Sequence, residues 1–449
     1  MNHLDFLRAE VTNLHVVRIS GRITRIDGQS LGIAGLVQDA RIGDWLKVTT
    51  QSGTHVYAEV LRMTETEVLA LPDGPCDGLS IGDRAEFIGP RGLAPDDSWI
   101  GRVIDPYGRP LDGRPLLQGP VTRNLRQNPP DPAQRGRLGA RLDTGMAVFN
   151  TLLPLVEGQR IGLFAGSGVG KSMLLGKFAR NMQADVVVIA LVGERGRELR
   201  EFIEDVLGPE GMARAVVVTA TSDQPPLTRR RCAAAAMCVA EHFRDQGKHV
   251  LYLADSITRL AEAHREVALA GGEAASLRGY PPSTAHQIMA LAERAGPGPD
   301  GMGAITGIFT VLVAGSDMEE PVADILRGVL DGHVVMDRAI AERGRFPAID
   351  VLRSVSRALP KAATPEENAR ISEARRMLGA YDRAEMMVQA GLYEAGSDPL
   401  VDRAIRVWPA LDAFVGESAP GGIKQAFAKL AICLDPPAQA GTTASKGKK

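Results

Sequence analysis

Gln159-Arg-Ile-Gly-Leu-Phe-Ala-Gly-Ser-Gly-Val-Gly-Lys-Ser-Met-Leu-Leu-Gly-Lys-Phe-Ala-Arg-Asn-Met182 decides the reading of this 449-residue chain. Ile161 to Phe164 is a short apolar run that predicts a buried strand, and Leu174, Leu175, Phe178 and Met182 recur at helical spacing. Between them stands Ala165-Gly166-Ser167-Gly168-Val169-Gly170-Lys171-Ser172. Strand, glycine loop and helix in this order form a phosphate-binding loop. Glycines let the backbone curl so that several N–H groups point at phosphate oxygens, and the helix adds the positive end of its dipole. The expected phosphate cradle is therefore Gly166, Ser167, Gly168, Val169, Gly170, Lys171 and Ser172. Lys171 is placed to bridge β- and γ-phosphates, and the Ser172 hydroxyl to ligate Mg²⁺. Ala165 departs from the glycine usual at the first position.

Outward from the loop, Val186–Val192, Ala215–Thr219, Val250–Leu253 and Ile305–Val313 read as near-continuous apolar strands, as a parallel sheet requires. The segments between them have helical length, among them Arg197–Leu207 and Thr228–Asp245. Alternating strands and helices predict a doubly wound α/β unit with its ligand at the carboxyl ends of the strands. Three further residues belong to the candidate site. Asp255 ends an apolar strand downstream of the loop, where an acid holds Mg²⁺, usually through water. Glu194 lies just past another strand end; it is the candidate to orient the attacking water, with a solvated loop charge as the alternative. Arg357, in Ser354-Val-Ser-Arg357, reads from spacing alone as an ordinary surface arginine, with a guanidinium reaching a neighbouring subunit as the sharper alternative.

The fold class that follows is a multi-domain α+β chain. A partner-binding segment occupies 1–13, with Leu4, Leu7 and Val11 at helical spacing, although a frayed terminus fits the same pattern. Short alternating strands with Gly-Asp and Asp-Gly turns predict a small β-barrel over 14–92. A Gly-, Pro- and Arg-rich ordered connector over 91–140 enters the nucleotide unit, taken as 93–360. A helical domain covers 361–434, and 435–449 has the composition of a disordered tail. Net charge is −2 and aromatics are 4%, which argues against the alternative of a hexameric nucleic-acid motor that uses the barrel and leaves no nucleic-acid partner expected. The four cysteines have no metal or disulfide spacing. No run approaches the ~20 apolar residues of a membrane span, and no signal peptide opens the chain. A cytoplasmic protein is expected.

The loop, Gly193-Glu-Arg-Gly-Arg-Glu198, Arg278-Gly-Tyr-Pro-Pro-Ser283, Ile325-Leu-Arg-Gly-Val-Leu-Asp-Gly-His333 and Arg353-Ser-Val-Ser-Arg357 together resemble the type III secretion ATPases, relatives of the catalytic subunit of rotary F-type ATPases. Arg338-Ala-Ile-Ala-Glu-Arg-Gly-Arg-Phe-Pro-Ala-Ile349 looks most like the flagellar export branch, with the virulence injectisome branch as the alternative. The resemblance runs from the barrel to about Cys433. It implies a RecA-like nucleotide domain and a homohexamer that hydrolyses ATP between subunits. It implies Glu194 as catalytic carboxylate, Arg195 near the γ-phosphate, Asp255 on the metal side, Arg357 supplied in trans and Phe346 against adenine. As partners it implies a stator protein on residues 1–13, a central stalk protein, a membrane export gate and chaperone–substrate complexes, so that the protein sits peripherally on the export apparatus. Gly272-Glu-Ala-Ala275, Ala314-Gly-Ser-Asp317 and His264 depart from the family pattern and leave room for a divergent second copy.

Overall fold

The computed structural model describes residues 18–276, 279–313 and 318–435. The expected segment at 1–13, the tail beyond Asp435 and Ala314–Asp317 lie outside the described residues.

Six strands, β1 (Ser20–Asp27), β2 (Ser30–Ala34), β3 (Trp45–Thr49), β4 (His55–Met63), β5 (Glu67–Pro72) and β6 (Arg84–Gly89), close into a barrel in the order β1-β2-β5-β4-β3-β6. Closure removes the unpaired edges that a small open sheet would expose. Ile23, Leu31, Ile33, Leu46, Val48, Val60 and Val68 fill its interior. Among the described residues the first strand starts at Ser20, and β2 carries only a weak sequence signal because Gly32 interrupts it.

The connector is ordered. Trp99 is fully buried, Arg102 forms a two-pronged pair with Asp112 at 2.6 and 2.8 Å, and β7 (Arg102–Ile104) joins the edge of the central sheet. That sheet contains β8 (Arg160–Ala165), β9 (Val186–Glu194), β10 (Ala215–Thr221), β11 (His249–Asp255), β12 (Gly296–Pro297), β13 (Ala304–Leu312), β14 (Gly332–Met336) and β15 (Ile349–Ser356). Its order is β15-β14-β8-β13-β11-β9-β10-β7, with β12 paired to β13. From β14 to β7 every pairing along this path is parallel, whereas β15 returns antiparallel beside β14. This single reversal decides where Arg357 lies.

The two faces of the sheet bury separate cores. Phe164, Val188, Val218 and Tyr252 face α2 (Pro226–Asp245), below, among Ala235, Ala236 and Phe243. On the other face, Leu163, Ile189 and Val217 pack with Leu174 and Phe178 of α1 (Lys171–Asn181). Further along lie α3 (Ile257–Ala270), α4 (Ser283–Arg294) and α5 (Pro321–Val329). His264 of α3 meets Ser283 of α4, Nε2 to Oγ 2.8 Å. The helix expected over 197–207 is helical but not uniform: an α-turn over Gly196–Glu201 widens to a π-turn over Phe202–Leu207. The wide turn accompanies a close approach to α1, where a Cβ added at Gly176 would come within 2.2 Å of Val206 Cγ1.

Three helices, α6 (Pro365–Gln389), α7 (Pro399–Gly416) and α8 (Gly422–Leu434), complete the chain. Their Ile371, Val407, Leu411 and Phe414 share one apolar core with Leu163 and Phe178. Among the described residues no helix is long and apolar enough to cross a membrane.

Candidate active site

The loop between β8 and α1 takes the form its glycines permit. Gly168 and Gly170 have φ of +77° and +86°, a region that side chains with a Cβ avoid. Val169 is 1% exposed and belongs to the core. It anchors the loop, leaving only its backbone N–H to face a ligand. Ala165 is still in strand geometry, paired with Leu312 and Met336, so the usual glycine is not needed there. α1 opens directly after Gly170 without a side-chain cap. Its first-turn N–H groups have no intrahelical acceptor and remain available for anionic oxygens.

Three side chains meet at the carboxyl ends of neighbouring strands. Lys171 is ion-paired with Asp255. Asp255 closes β11, is 3% exposed, and also accepts a hydrogen bond from Thr310 of β13 at 2.8 Å. Glu194 closes β9, one strand further, where a register shift sets it opposite Thr221. Burial pushes its carboxyl up to about 7, the Asp255 charge adds to the rise, and Lys171 opposes it. A carboxylate poised near neutrality beside a lysine–aspartate pair is what general-base chemistry at ordinary pH requires.

The other expected residues fall in two places. Ser172 stands exposed on the first turn of α1. With Asp255 it offers hard oxygen donors of the kind Mg²⁺ prefers, so the residues fit that ion. Among the described residues, no cluster of three or more His, Cys, Asp or Glu offers a different metal site. Phe346 is half exposed and covers the loop: a Cβ on Gly170 would lie 3.2 Å from its Cδ1. Arg195 flanks Glu194, but its exposed guanidinium is committed to Glu198 at 3.1 Å.

Arg357 is not brought to the loop. Because β15 is antiparallel, Ser356 pairs with Gly332, at the end of the sheet where β8 begins. The six residues of β8 span roughly 20 Å at about 3.3 Å per residue, and the loop lies at the far end. One copy of the chain therefore cannot place its own Arg357 on its own phosphates.

Two residues near the site escaped the sequence reading. Thr310 lies inside an unbroken apolar strand, so nothing local marks it. Arg259 sits on the first turn of α3, with its side chain 3.4 Å from the position a Cβ on Gly193 would take and 3.0 Å from Glu262. Its place four residues after a strand-ending acid was a usable signal.

Residues 145–356 match the ATP synthase alpha/beta family, nucleotide-binding domain, and residues 363–419 match the T3SS EscN ATPase C-terminal domain. The flagellum-specific ATP synthase of Caulobacter vibrioides is 46% identical over 92% of this chain and 94% of its own length. The chain belongs to the flagellum-specific branch of the ATP synthase alpha/beta family. The Salmonella typhimurium flagellum-specific ATP synthase is 43% identical over 92% of each chain. Among solved structures, the assembled ATPase EscN of the enteropathogenic Escherichia coli type III secretion system superposes with a TM-score of 0.86 at 37% identity, covering 92% of this chain and all of that one. EscN in complex with its central stalk EscO gives a TM-score of 0.83 at 37% identity, with the same coverage. The barrel, the nucleotide unit and the helical end thus stand as the sequence led us to expect.

Proposed function

We propose that each active site is completed by two copies of the chain, one giving the loop, Glu194 and Asp255, the other Arg357. The protein is an ATPase that energises type III export of flagellar proteins. The flagellar reading is favoured over the injectisome one because flagellum-specific relatives reach 46% identity while EscN stands at 37%. The observation that carries the site is the meeting of Asp255 and Glu194, at the ends of adjacent strands, with Lys171 on the first turn of α1, while Arg357 lies at the opposite end of the same sheet.

In this reading the backbone of Gly166–Gly170 wraps the phosphates, Lys171 exchanges its pairing with Asp255 for the β- and γ-oxygens, and Phe346 packs on adenine. Mg²⁺, held by Ser172 and through water by Asp255, would neutralise charge on the same oxygens. Glu194 orients the water that attacks the γ-phosphorus in line as ADP departs, and Arg195 turns from Glu198 toward the γ-phosphate. Arg357 of the adjacent copy stabilises the charge that develops there, a contribution of about 10³–10⁵ in rate. The assembly is a homohexamer around a central stalk protein, supported by the assembled and stalk-bound forms of EscN. A stator on residues 1–13, a membrane export gate and chaperone–substrate complexes complete the set of partners for a cytoplasmic, peripherally attached enzyme. The working divisions are 14–92, 93–360 and 361–434.

Mixing experiments test the shared site. Arg357→Ala and Glu194→Ala, each nearly inactive alone, should regain ATPase activity when mixed, at interfaces that join an intact Glu194 to an intact Arg357. Absence of any rescue would refute the two-copy site. Loss of flagellin secretion and motility in a strain lacking the protein tests the cellular role.

A further inference from the structure

The Ile325–His333 stretch has no part in the nucleotide pocket, yet the structure gives it dense contacts around Arg357. The backbone N–H of Arg357 donates to the Asp331 carbonyl at 3.1 Å. Its guanidinium donates to the carbonyls of Leu330 at 3.1 Å and Arg327 at 3.5 Å, at the carboxyl end of α5, where the helix dipole favours a cation. Asp331 is in turn fastened to the first residue of β8. Its carboxylate accepts from the Arg160 backbone N–H at 3.0 Å and from Arg160 Nε at 3.1 Å, while its own N–H donates to the Arg160 carbonyl at 2.8 Å. Gln159, just before β8 and fully buried, donates through Nε2 to the Asp331 carbonyl at 3.1 Å and to Ser356 Oγ at 3.3 Å. Glu293 holds the other side of Arg160 at 2.6 Å.

We propose that Gln159, Arg160 and Asp331 are positioning residues for the guanidinium that each subunit lends to its neighbour. The inference rests on the two-copy site proposed above. β8 then has a function at both ends: its last residues launch the phosphate loop of its own subunit, and its first residues fix the origin of the arginine delivered to the next. A strand in the middle of a close-packed sheet moves as a rigid piece.

The test uses full-length Asp331→Asn, with Arg160→Gln as a second variant should the first fail to assemble. Misplacing a catalytic group by about 1 Å costs up to about 100-fold, so kcat should fall about 10- to 100-fold while KM and nucleotide binding stay at the wild-type level. Arg160→Lys should recover part of the loss. Mixing then separates the possibilities. Asp331→Asn should be rescued by Glu194→Ala, which still donates a well-placed Arg357, and not by Arg357→Ala, which has the same donor defect. Rescue by Arg357→Ala instead would place the lesion in the variant's own pocket and overturn the proposal. Rescue by neither, with the Arg357→Ala and Glu194→Ala pair still complementing, would make the clamp merely structural and also overturn it. If that reference pair itself fails, the two-copy site falls first and takes the positioning role with it.

Discussion

At the carboxyl end of the central sheet, Glu194 lies near a second carboxylate, Asp255, whose charge Lys171 already pairs. Glu194 is held near 7 by burial and by the Asp255 carboxylate, Phe346 and Ser172 stand open to solvent, and glycines shape the backbone. At the amino end the charges are matched. Arg160 lies between Glu293 at 2.6 Å and Asp331 at 3.1 Å, and Arg135 reaches Glu293 at 3.0 Å and the Ala295 carbonyl at 2.8 Å. The contrast separates two demands. A site that must take up a polyanion and move a proton keeps its groups short of satisfaction. A site that must hold one cation in a fixed place rests on charges already paired around it: Arg160 is held by Glu293 and Asp331, and the Asp331 and Leu330 carbonyls receive Arg357.

The largest expected effect comes from breaking the unsatisfied end. Lys171→Ala removes the cation that exchanges Asp255 for phosphate. Loss of one preorganised electrostatic contact typically costs about 10²–10³ in kcat, and phosphate release should drop at least that far, with weaker nucleotide binding. Normal turnover would show that the loop does not hold phosphate. It would also leave the contrast between the two ends without a functional meaning.

Titration sharpens the same contrast. With Glu194 poised at about 7, kcat/KM of the wild type should fall about tenfold per pH unit below that value as the base is protonated. Glu194→Gln should be slow and flat over the same range. The stability effect has the opposite sense. An acid whose folded pKa lies above its ordinary 4.5 binds a proton more readily when folded, so its contribution to stability declines as pH rises from 4.5 through 7. Glu194→Gln should therefore gain melting temperature relative to wild type at pH 8 and gain nothing near pH 4. A pH–rate limb near 4.5, or no pH dependence in the stability difference, would place Glu194 in open water.

A smaller effect is expected at the rim. Phe346 touches the loop beside Gly170 without reaching the strand ends, so it should contribute binding that is equal in ground and transition states. Phe346→Ala should raise KM for ATP about tenfold, the scale of one ring stacked on a base, with kcat nearly unchanged. An equal loss in kcat would move Phe346 from the rim into the reacting centre.

These differences also explain what the sequence could show. The loop was legible because glycine, lysine and serine at fixed offsets have one common use between a strand and a helix. Asp255 and Glu194 were legible because a carboxylate ending an apolar run stands out. Thr310 was not, since its hydroxyl sits within β13 and its role depends on the register between β13 and β11. Nor was the place of Arg357. Spacing along the chain carries no information on whether β15 runs with or against β14, and that one direction separates the arginine from its own loop. β2, β6, β7, β14 and β15 were missed as strands; in β2 and β15, Gly32 and the polar residues of Asp350–Ser356 dilute the kind of apolar run that marked β9 and β11. The clamp at Asp331 joins residues 159–160 to 330–357, a contact between distant segments that no local pattern encodes.

The smallest effect should come from a site remote from both ends. Thr364 caps α6, accepting from the Glu367 N–H at 3.3 Å while Glu367 Oε2 accepts from the Thr364 N–H at 3.0 Å. The same Glu367 also pairs with Arg141 at 2.9 Å. Thr364→Ala should cost about 1 kcal/mol, read as a lower denaturation midpoint. Because the helical end shares its apolar core with the face of the sheet that carries α1, a loose coupling between them would also disturb the loop. Unchanged kcat and KM at a temperature well below melting would show that the cap supports the packing without setting the geometry of either end. A fall in kcat larger than the stability loss explains would mean that α6 transmits its position into the sheet, and the contrast between the two ends would have to include a third, helical element.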